Sequence, residues 1–189
     1  MFNPLSRPLS TTFTPYHPIA IAIPLLALVI GSAYVSVPLV YSPVPMTLQT
    51  LAVLMVGIWA GPRVAAGVLA AYLALGIGGF PVFAGGQPAL GTAFFARPTA
   101  GFLLAFLPAA VIAGWIATQF ASRALGALAA MIAGHALIFV GGVGWLAAFM
   151  GFEKAVALGL MPFLLGTLVK CAIGVALASV IPPWRGQRR

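Results

Sequence analysis

Residues 18–62 read PIAIAIPLLALVIGSAYVSVPLVYSPVPMTLQTLAVLMVGIWAGP, and they close an uncharged run of 55 residues from Pro8 to Pro62. A helix of about 20 apolar residues spans a bilayer, so this run holds more than one span. Its prolines divide it. Pro38 and then Ser42-Pro43-Val44-Pro45 interrupt the helix near residues 38–45. Thr47 is placed to cap the helix that follows, and Gly61-Pro62-Arg63 makes the next turn. Outward from this stretch come the uncharged runs Val64–Ala96, Pro98–Ser122 and Ala124–Phe152. Beyond Glu153 and Lys154 the chain is apolar to Trp184 except at Lys170. The pattern predicts an all-α integral membrane protein with six transmembrane helices at about 18–38, 46–61, 63–78, 98–120, 124–150 and 161–182. The second and third are short for a full span. Residues 1–17 are an N-terminal cytoplasmic or interfacial segment, 18–182 a single transmembrane domain and 183–189 a basic tail.

Composition excludes the main alternatives. Of the 189 residues, 62% are hydrophobic and 5% charged, with a mean hydropathy of +1.14. A soluble domain carries about 25% charge, so this chain has too little polar surface to face water. Disorder needs the opposite composition. One cysteine, Cys171, excludes an intrachain disulfide or a cysteine metal cluster. One acid, Glu153, with His17 and His135, excludes paired-carboxylate catalysis and acidic metal cages. No metal site is expected. Neither a Walker A loop nor a nucleophile–base pair is evident, so a binding function is expected rather than an enzyme. The net charge of +8 comes from isolated basic residues between apolar runs, not from a basic stripe. No nucleic-acid role is expected.

These isolated charges set the topology. With the N-terminus inside, the cytoplasmic side holds Arg7, Arg63, Arg123, Arg185, Arg188 and Arg189, and the outer side holds Arg97, Lys154 and Glu153. The excess of basic residues inside places both termini in the cytoplasm. Trp59, Trp115 and Trp184 fall near inner ends and Trp145 near an outer end, as interfacial anchors do. A cleavable signal is the competing reading of the first 17 residues, and it is not expected, because they are weakly basic and the apolar stretch after them exceeds a signal core.

Several residues are out of place in lipid. From Gly76 to Pro98, clustered glycines and prolines forbid a continuous helix, yet the segment is apolar. Two readings fit: a re-entrant lid over a ligand, or an outer turn with packing roles only. Lys170 lies about eight residues into the sixth helix, roughly 12 Å from its outer end. It either meets an anionic ligand or snorkels to the interface. Arg97 suits a carboxylate in forked geometry and equally a lipid phosphate. Gln49 and Thr50 suit a polar ligand or a helix-to-helix hydrogen bond. His135 is expected to be a neutral, satisfied core histidine. Tyr34, Tyr41 and Tyr72 fit either a ligand wall or packing. Small residues four apart, at Ala27 and Gly31, at Ala105, Ala109 and Ala113, and at Ala172 and Ala176, are expected to pack helices closely. On helix one, the alternative is a face for another subunit.

The strings Tyr34-Val35-Ser36-Val37-Pro38, Ser42 to Leu51, Gly61-Pro62-Arg63, Gly79-Phe80-Pro81-Val82-Phe83-Ala84-Gly85-Gly86 and Pro98-Thr99-Ala100-Gly101-Phe102 together resemble the BioY family. Its members are biotin-specific substrate-capture (S) components of energy-coupling factor (ECF) transporters. The resemblance covers about residues 25–182. It implies a six-helix protein of the bacterial cytoplasmic membrane that binds biotin near its outer face. It also implies a transmembrane coupling subunit and ABC-type ATPases as partners, docked on helix one at Ala27 and Gly31. The Phe80–Gly86 loop is expected to close over the biotin rings, with Gln49 and Lys170 matching family positions. Thr167 stands where the family usually has an acid, Arg97 where it has a small residue, Ala100 where it has glycine and Phe139 where it has tyrosine. A threonine accepts the ureido N–H groups less strongly than an acid.

The expected substrate site comprises Tyr41, Phe83 and Trp145 as walls, Gly85, Gly86 and Thr99 around the loop, and Gln49, Arg97, Thr167 and Lys170 as polar contacts. One of the two basic residues is expected to meet the carboxylate. No cofactor is expected besides the biotin ligand. The alternative function is a stand-alone carrier or pore for biotin or another small solute, working without an ATPase.

Overall fold

The structure, a computed structural model, describes residues 18–86 and 88–183. The N-terminal segment with Arg7 and His17, the loop residue Gln87, and the tail from Trp184 with Arg185, Arg188 and Arg189 lie outside the described residues.

The described chain is helical throughout its long segments: α1 (Pro18–Tyr34), α2 (Gln49–Ile77), α3 (Ala100–Ala117), α4 (Arg123–Met150), α5 (Phe152–Gly159) and α6 (Leu164–Val180). Gln49–Ile77, Ala100–Ala117, Arg123–Met150 and the stretch Phe152–Val180 are each long and apolar enough to cross a membrane. Ile19–Tyr34 is a shorter apolar helix.

The first expected helix ends early. After Tyr34 the chain becomes extended, and β1 (Ser36–Val37) pairs antiparallel with β2 (Met46–Thr47), Ser36 opposite Thr47. The expected second helix therefore starts at Gln49 rather than 46. Leu48, not Thr47, occupies the cap position. Thr47 still contributes, since its Oγ1 accepts from the Gln49 N–H at 3.3 Å. The sixth helix, expected from 161, begins as a 3-10 turn at Met161–Phe163 before α6, and the short helix α5 lies in the stretch before it where no helix was expected. Pro162 lies inside that turn.

Within α2 the backbone leaves helical geometry at Gly61, with φ 79° and ψ 172°. A side chain rarely adopts this φ, so glycine is required. Pro62 then starts the second arm, where its missing N–H is no loss. The arms are antiparallel. The Gln49 side-chain amide donates to the Tyr72 hydroxyl, yet 23 residues of straight helix would separate the two by about 35 Å. The chain thus reverses at Gly61, where the sequence marks a turn.

Helix α3 packs against the reversal. A Cβ added at Gly114 would come within 2.7 Å of the Gly57 carbonyl oxygen and 2.9 Å of the Pro62 nitrogen. Ala105, Ala109 and Ala113 are all buried, as their spacing predicts, with Ala105 against Gly141 of α4. The other small pairs face outward: Ala27 and Gly31 on α1, and Ala172 and Ala176 on α6. On α1 it is Val29 and Ala33 that are fully buried. Gly126 at the start of α4 meets the Ala117 carbonyl at the end of α3. Arg63, Trp59, Trp115 and Arg123 thus gather at one end of the molecule. Arg97, Trp145, Glu153 and Lys154 lie toward the other.

Candidate ligand-binding site

At that other end the helices enclose a cavity of about 250 Å³. A void of about 10–15 Å³ holds one water, so this is no packing defect. Three helices line it through residues three or four apart, the spacing of a single helix face. Phe102, Leu103 and Phe106 come from α3, His135, Ile138 and Phe139 from α4, and Thr167 and Lys170 from α6, with Phe163 just before it. Pro43, Val44, Pro45, Thr47, Gln49 and Thr50 close one side, and Phe83, Ala84, Arg97 and Thr99 the top. Counted from the loop end of each helix, Phe106, His135 and Lys170 are the deepest lining residues.

The glycine-rich segment covers the cavity. Val82, Phe83, Ala89 and Phe94 are buried beneath its outer turns. Phe83 points the tip of its ring at Gly76, where any Cβ would overlap it. An aromatic chain ties the cover down. Tyr72 meets Phe83 edge-on at 5.4 Å, Phe83 meets Phe94 at 5.5 Å, Phe94 meets Phe95 at 5.2 Å, and Phe95 reaches Trp145 at 6.4 Å. Such pairs contribute about 0.5–1.5 kcal/mol each beyond burial. The Tyr34 hydroxyl donates to the Pro81 carbonyl, joining the cover to α1. Ser42 Oγ donates to the Leu158 carbonyl at 2.8 Å and accepts from the Val44 N–H, fixing the Pro43–Pro45 rim against α5.

Lys170 turns inward. It is 8% exposed, and its Nζ donates to Thr50 Oγ1 at 3.1 Å. Glu153, the single acid of the chain, lies exposed in α5. The buried ammonium therefore has a hydroxyl for a partner and, among the described residues, no carboxylate. Burying a charge is unfavourable unless it is paired. Arg97 lines the cavity nearer its top and donates from Nη2 to the Pro88 carbonyl at 3.0 Å. Its own carbonyl accepts from Trp145 Nε1 at 3.1 Å.

Gln49 is 2% exposed, and its amide has a defined polarity. Tyr72 has one hydroxyl proton, which goes to the Val82 carbonyl at 3.3 Å. The phenol oxygen must then accept from Gln49 Nε2. The carbonyl of the Gln49 amide remains as an acceptor. Tyr72 is thus a fully buried support that links Gln49 to the cover, not a cavity wall.

Six of the expected residues come together around one cavity: Gln49, Phe83, Arg97, Thr99, Thr167 and Lys170. Four do not line it. Tyr41 is 65% exposed on the outside of the Pro38–Pro45 turn. Gly85 and Gly86 lie past Ala84, with Gly86 against Tyr34. Trp145 sits behind the Arg97 backbone, packed on Gly101. Ala27 and Gly31 are on the outward face of α1, away from the cavity.

His135 corrects an expectation. It is buried, but it is not a satisfied core histidine. Nδ1 lies 2.9 Å from the Met131 carbonyl oxygen, while Nε2 has no hydrogen-bond partner among the described residues. The spacing gave no signal for this: His135 shares a helix face with Ile138 and Phe139, as a core residue would, and only the packed helices show which nitrogen is left bare. Cys171 Sγ lies 3.8 Å from Nδ1. That nitrogen already donates to Met131, so the contact is not a thiol activated by a base.

The cavity offers an ammonium, a guanidinium, an amide and hydroxyls between aromatic and aliphatic walls. This is the make-up of a small-molecule binding site. Comparison with known proteins agrees. A family model described as BioY family matches residues 7–187. The Pyrococcus horikoshii protein named probable biotin transporter BioY is 36% identical over 154 residues, spanning 82% of this chain and 89% of that one. The Rhodobacter capsulatus biotin transporter BioY is 34% identical over 174 residues, spanning 84% and 90%. A crystal structure described as the S-component for biotin from an ECF-type ABC transporter shares the fold. Its TM-score is 0.76 at 22% identity, over 86% of this chain and 88% of that one. With a family model matched along nearly its whole length and relatives above 30% identity, this integral membrane protein is a member of the BioY family.

Proposed function

We propose that this chain is the biotin-capturing S component of an ECF transporter in the bacterial cytoplasmic membrane. Six helical rods cross the membrane within a single domain over residues 18–182: α1, the two arms of α2, α3, α4 and α6. Both termini are cytoplasmic and the cavity faces outward. The count of basic residues along the sequence supports this orientation: Arg7, Arg63, Arg123, Arg185, Arg188 and Arg189 belong to the inner side by their order in the chain, against Arg97 and Lys154 on the cavity side.

The observation that carries the reading is Lys170. A buried cation turned into a cavity of about 250 Å³, with Thr50 as its protein partner, is explained by a ligand that brings an acceptor. The deep end mixes donors and acceptors: the Lys170 ammonium, the Thr50 and Thr167 hydroxyls and the Gln49 carbonyl. That mixture matches a ureido group, whose oxygen accepts and whose N–H groups donate. A carboxylate, an acceptor only, would oppose the Gln49 carbonyl there. Arg97, nearer the opening, offers the planar fork that a carboxylate fits. Biotin therefore lies with its ureido ring toward Lys170 and its carboxylate toward Arg97. The bicyclic ring contacts Phe83, Phe102 and Phe106.

The protein binds and delivers without catalysis and without a cofactor. ATP hydrolysis belongs to ABC-type ATPase partners acting through a transmembrane coupling subunit. The outward stripe of Ile23, Ala27 and Gly31 on α1 is the docking face, because small residues let a partner helix approach closely.

The test has two parts. Purified protein in detergent should bind labelled biotin saturably and discriminate against its methyl ester. Uptake in cells should require the coupling subunit and ATPases. Absence of saturable binding overturns the reading. Full uptake without partners makes the chain a stand-alone carrier.

A further inference from the structure

His135 is the buried polar residue of the cavity that the biotin reading leaves without a role, since Gln49 and Lys170 are used. It is 3% exposed at the deep end, level with Lys170. The Met131 carbonyl can only accept, so Nδ1 at 2.9 Å from it carries the ring proton. In the neutral ring Nε2 is then an acceptor. It is sealed from solvent and unpaired among the described residues. Buried polar atoms are nearly always paired, so an orphan on a ring that lines a ligand cavity calls for a ligand donor.

The need for that acceptor is visible in α6. Thr167, one turn before Cys171 and its contact to His135, carries no charge, and no Asp or Glu lines the cavity. A ureido ring brings two N–H donors. The Gln49 carbonyl can take one, which leaves the other without a strong partner.

We infer that His135 Nε2 accepts a hydrogen bond from one ureido N–H of biotin and so helps set selectivity for that ring. The inference rests on the biotin reading above and extends it to a histidine whose spacing marks it only as core.

The experiment uses the full-length protein in detergent and four ligands: biotin, its two singly N-methylated regioisomers, and its methyl ester. Affinities are measured for wild type, His135→Ala and His135→Leu, with thermal melts to confirm folding. In wild type one regioisomer should bind worse than the other by about 10- to 100-fold, as expected when a buried acceptor loses its donor. In His135→Ala that preference should collapse, because removing the ring removes both the acceptor and the obstacle to the methyl group. His135→Leu refills the space without an acceptor and should weaken biotin by a similar factor.

Equal penalties for the two regioisomers in wild type overturn the inference, and this arm needs no variant to fold. Uniform weakening of all four ligands by both variants also overturns it, since that is a structural role. A His135 effect confined to biotin against its methyl ester overturns it too, because the ring then meets the carboxylate. Wild-type protein that fails to bind biotin removes the functional reading itself, whereas binding without coupling to His135 removes only this inference.

Discussion

The two ends of this molecule are built from the same helices and differ in the size of the side chains between them. At the Gly61 reversal, α2 and α3 approach through Gly57, Ala110 and Gly114, and the backbones touch. Two turns or more along α3, Phe102 and Phe106 take the place of Ala109 and Ala113, and the helices are held around a cavity. Polar residues follow the same gradient. Gln49, His135 and Lys170 are the buried polar side chains among the described residues, and all three line the open end. A membrane helix bundle gains little from hydrophobic burial between helices, so close packing of small residues holds it together. One end supplies that cohesion, and the other is free to carry polar groups at a cost in stability.

The sharpest way to break this contrast is at the packed end. A side chain at Gly114 has backbone, not flexible side chain, in its path. Gly114→Val should destabilise the fold by more than about 3 kcal/mol, above the usual cost of overpacking. Thermal unfolding in detergent reads this, and an unchanged midpoint would show that the end is not tightly packed. Lys170→Met should do the reverse. It removes an uncompensated buried charge, so the midpoint of the ligand-free protein should hold or rise. Biotin affinity should fall about 100-fold, as for the loss of a strong charged hydrogen bond. A lowered midpoint with intact affinity would assign Lys170 to structure.

Arg97→Ala sits between these limits. It should weaken biotin about tenfold and leave the methyl ester unchanged, because only the acid uses the fork. A comparison of the two ligands by calorimetry checks it, and equal losses for both would move the carboxylate away from Arg97. The smallest effect is expected at Tyr41, which lies outside the cavity. Tyr41→Ala should keep biotin affinity within about twofold, in the range of a surface substitution. A larger loss would mean that the outer turn folds over the ligand.

Much of the fold was legible because hydrophobic runs, Pro-Gly breaks and sparse charges are local signals. Gly61-Pro62 marked a reversal, and the Gly76–Pro98 stretch marked a non-helical cover. Helix ends were less legible. Whether residues 35–37 continue α1 or pair with Met46–Thr47 depends on which strand comes within reach. Cavity-lining residues were legible where their chemistry clashed with lipid, as at Lys170 and Gln49 on helices and Arg97 in the loop before α3. Tyr41 and Trp145 were misplaced because an aromatic residue reads alike on a wall, an outer surface or a support. His135 was taken for a paired core residue because only its neighbours in space show which of its nitrogens is bonded.

The sequence by itself determined that the chain lives in a membrane, where it breaks, and which charges have no place in lipid, because each follows from composition and covalent geometry along the chain. The tertiary structure alone decided that Lys170 points inward to Thr50, that Tyr72 sets the polarity of Gln49, and that His135 keeps a bare acceptor. Each of these is a contact between helices far apart in sequence, fixed by packing and hydrogen-bond direction.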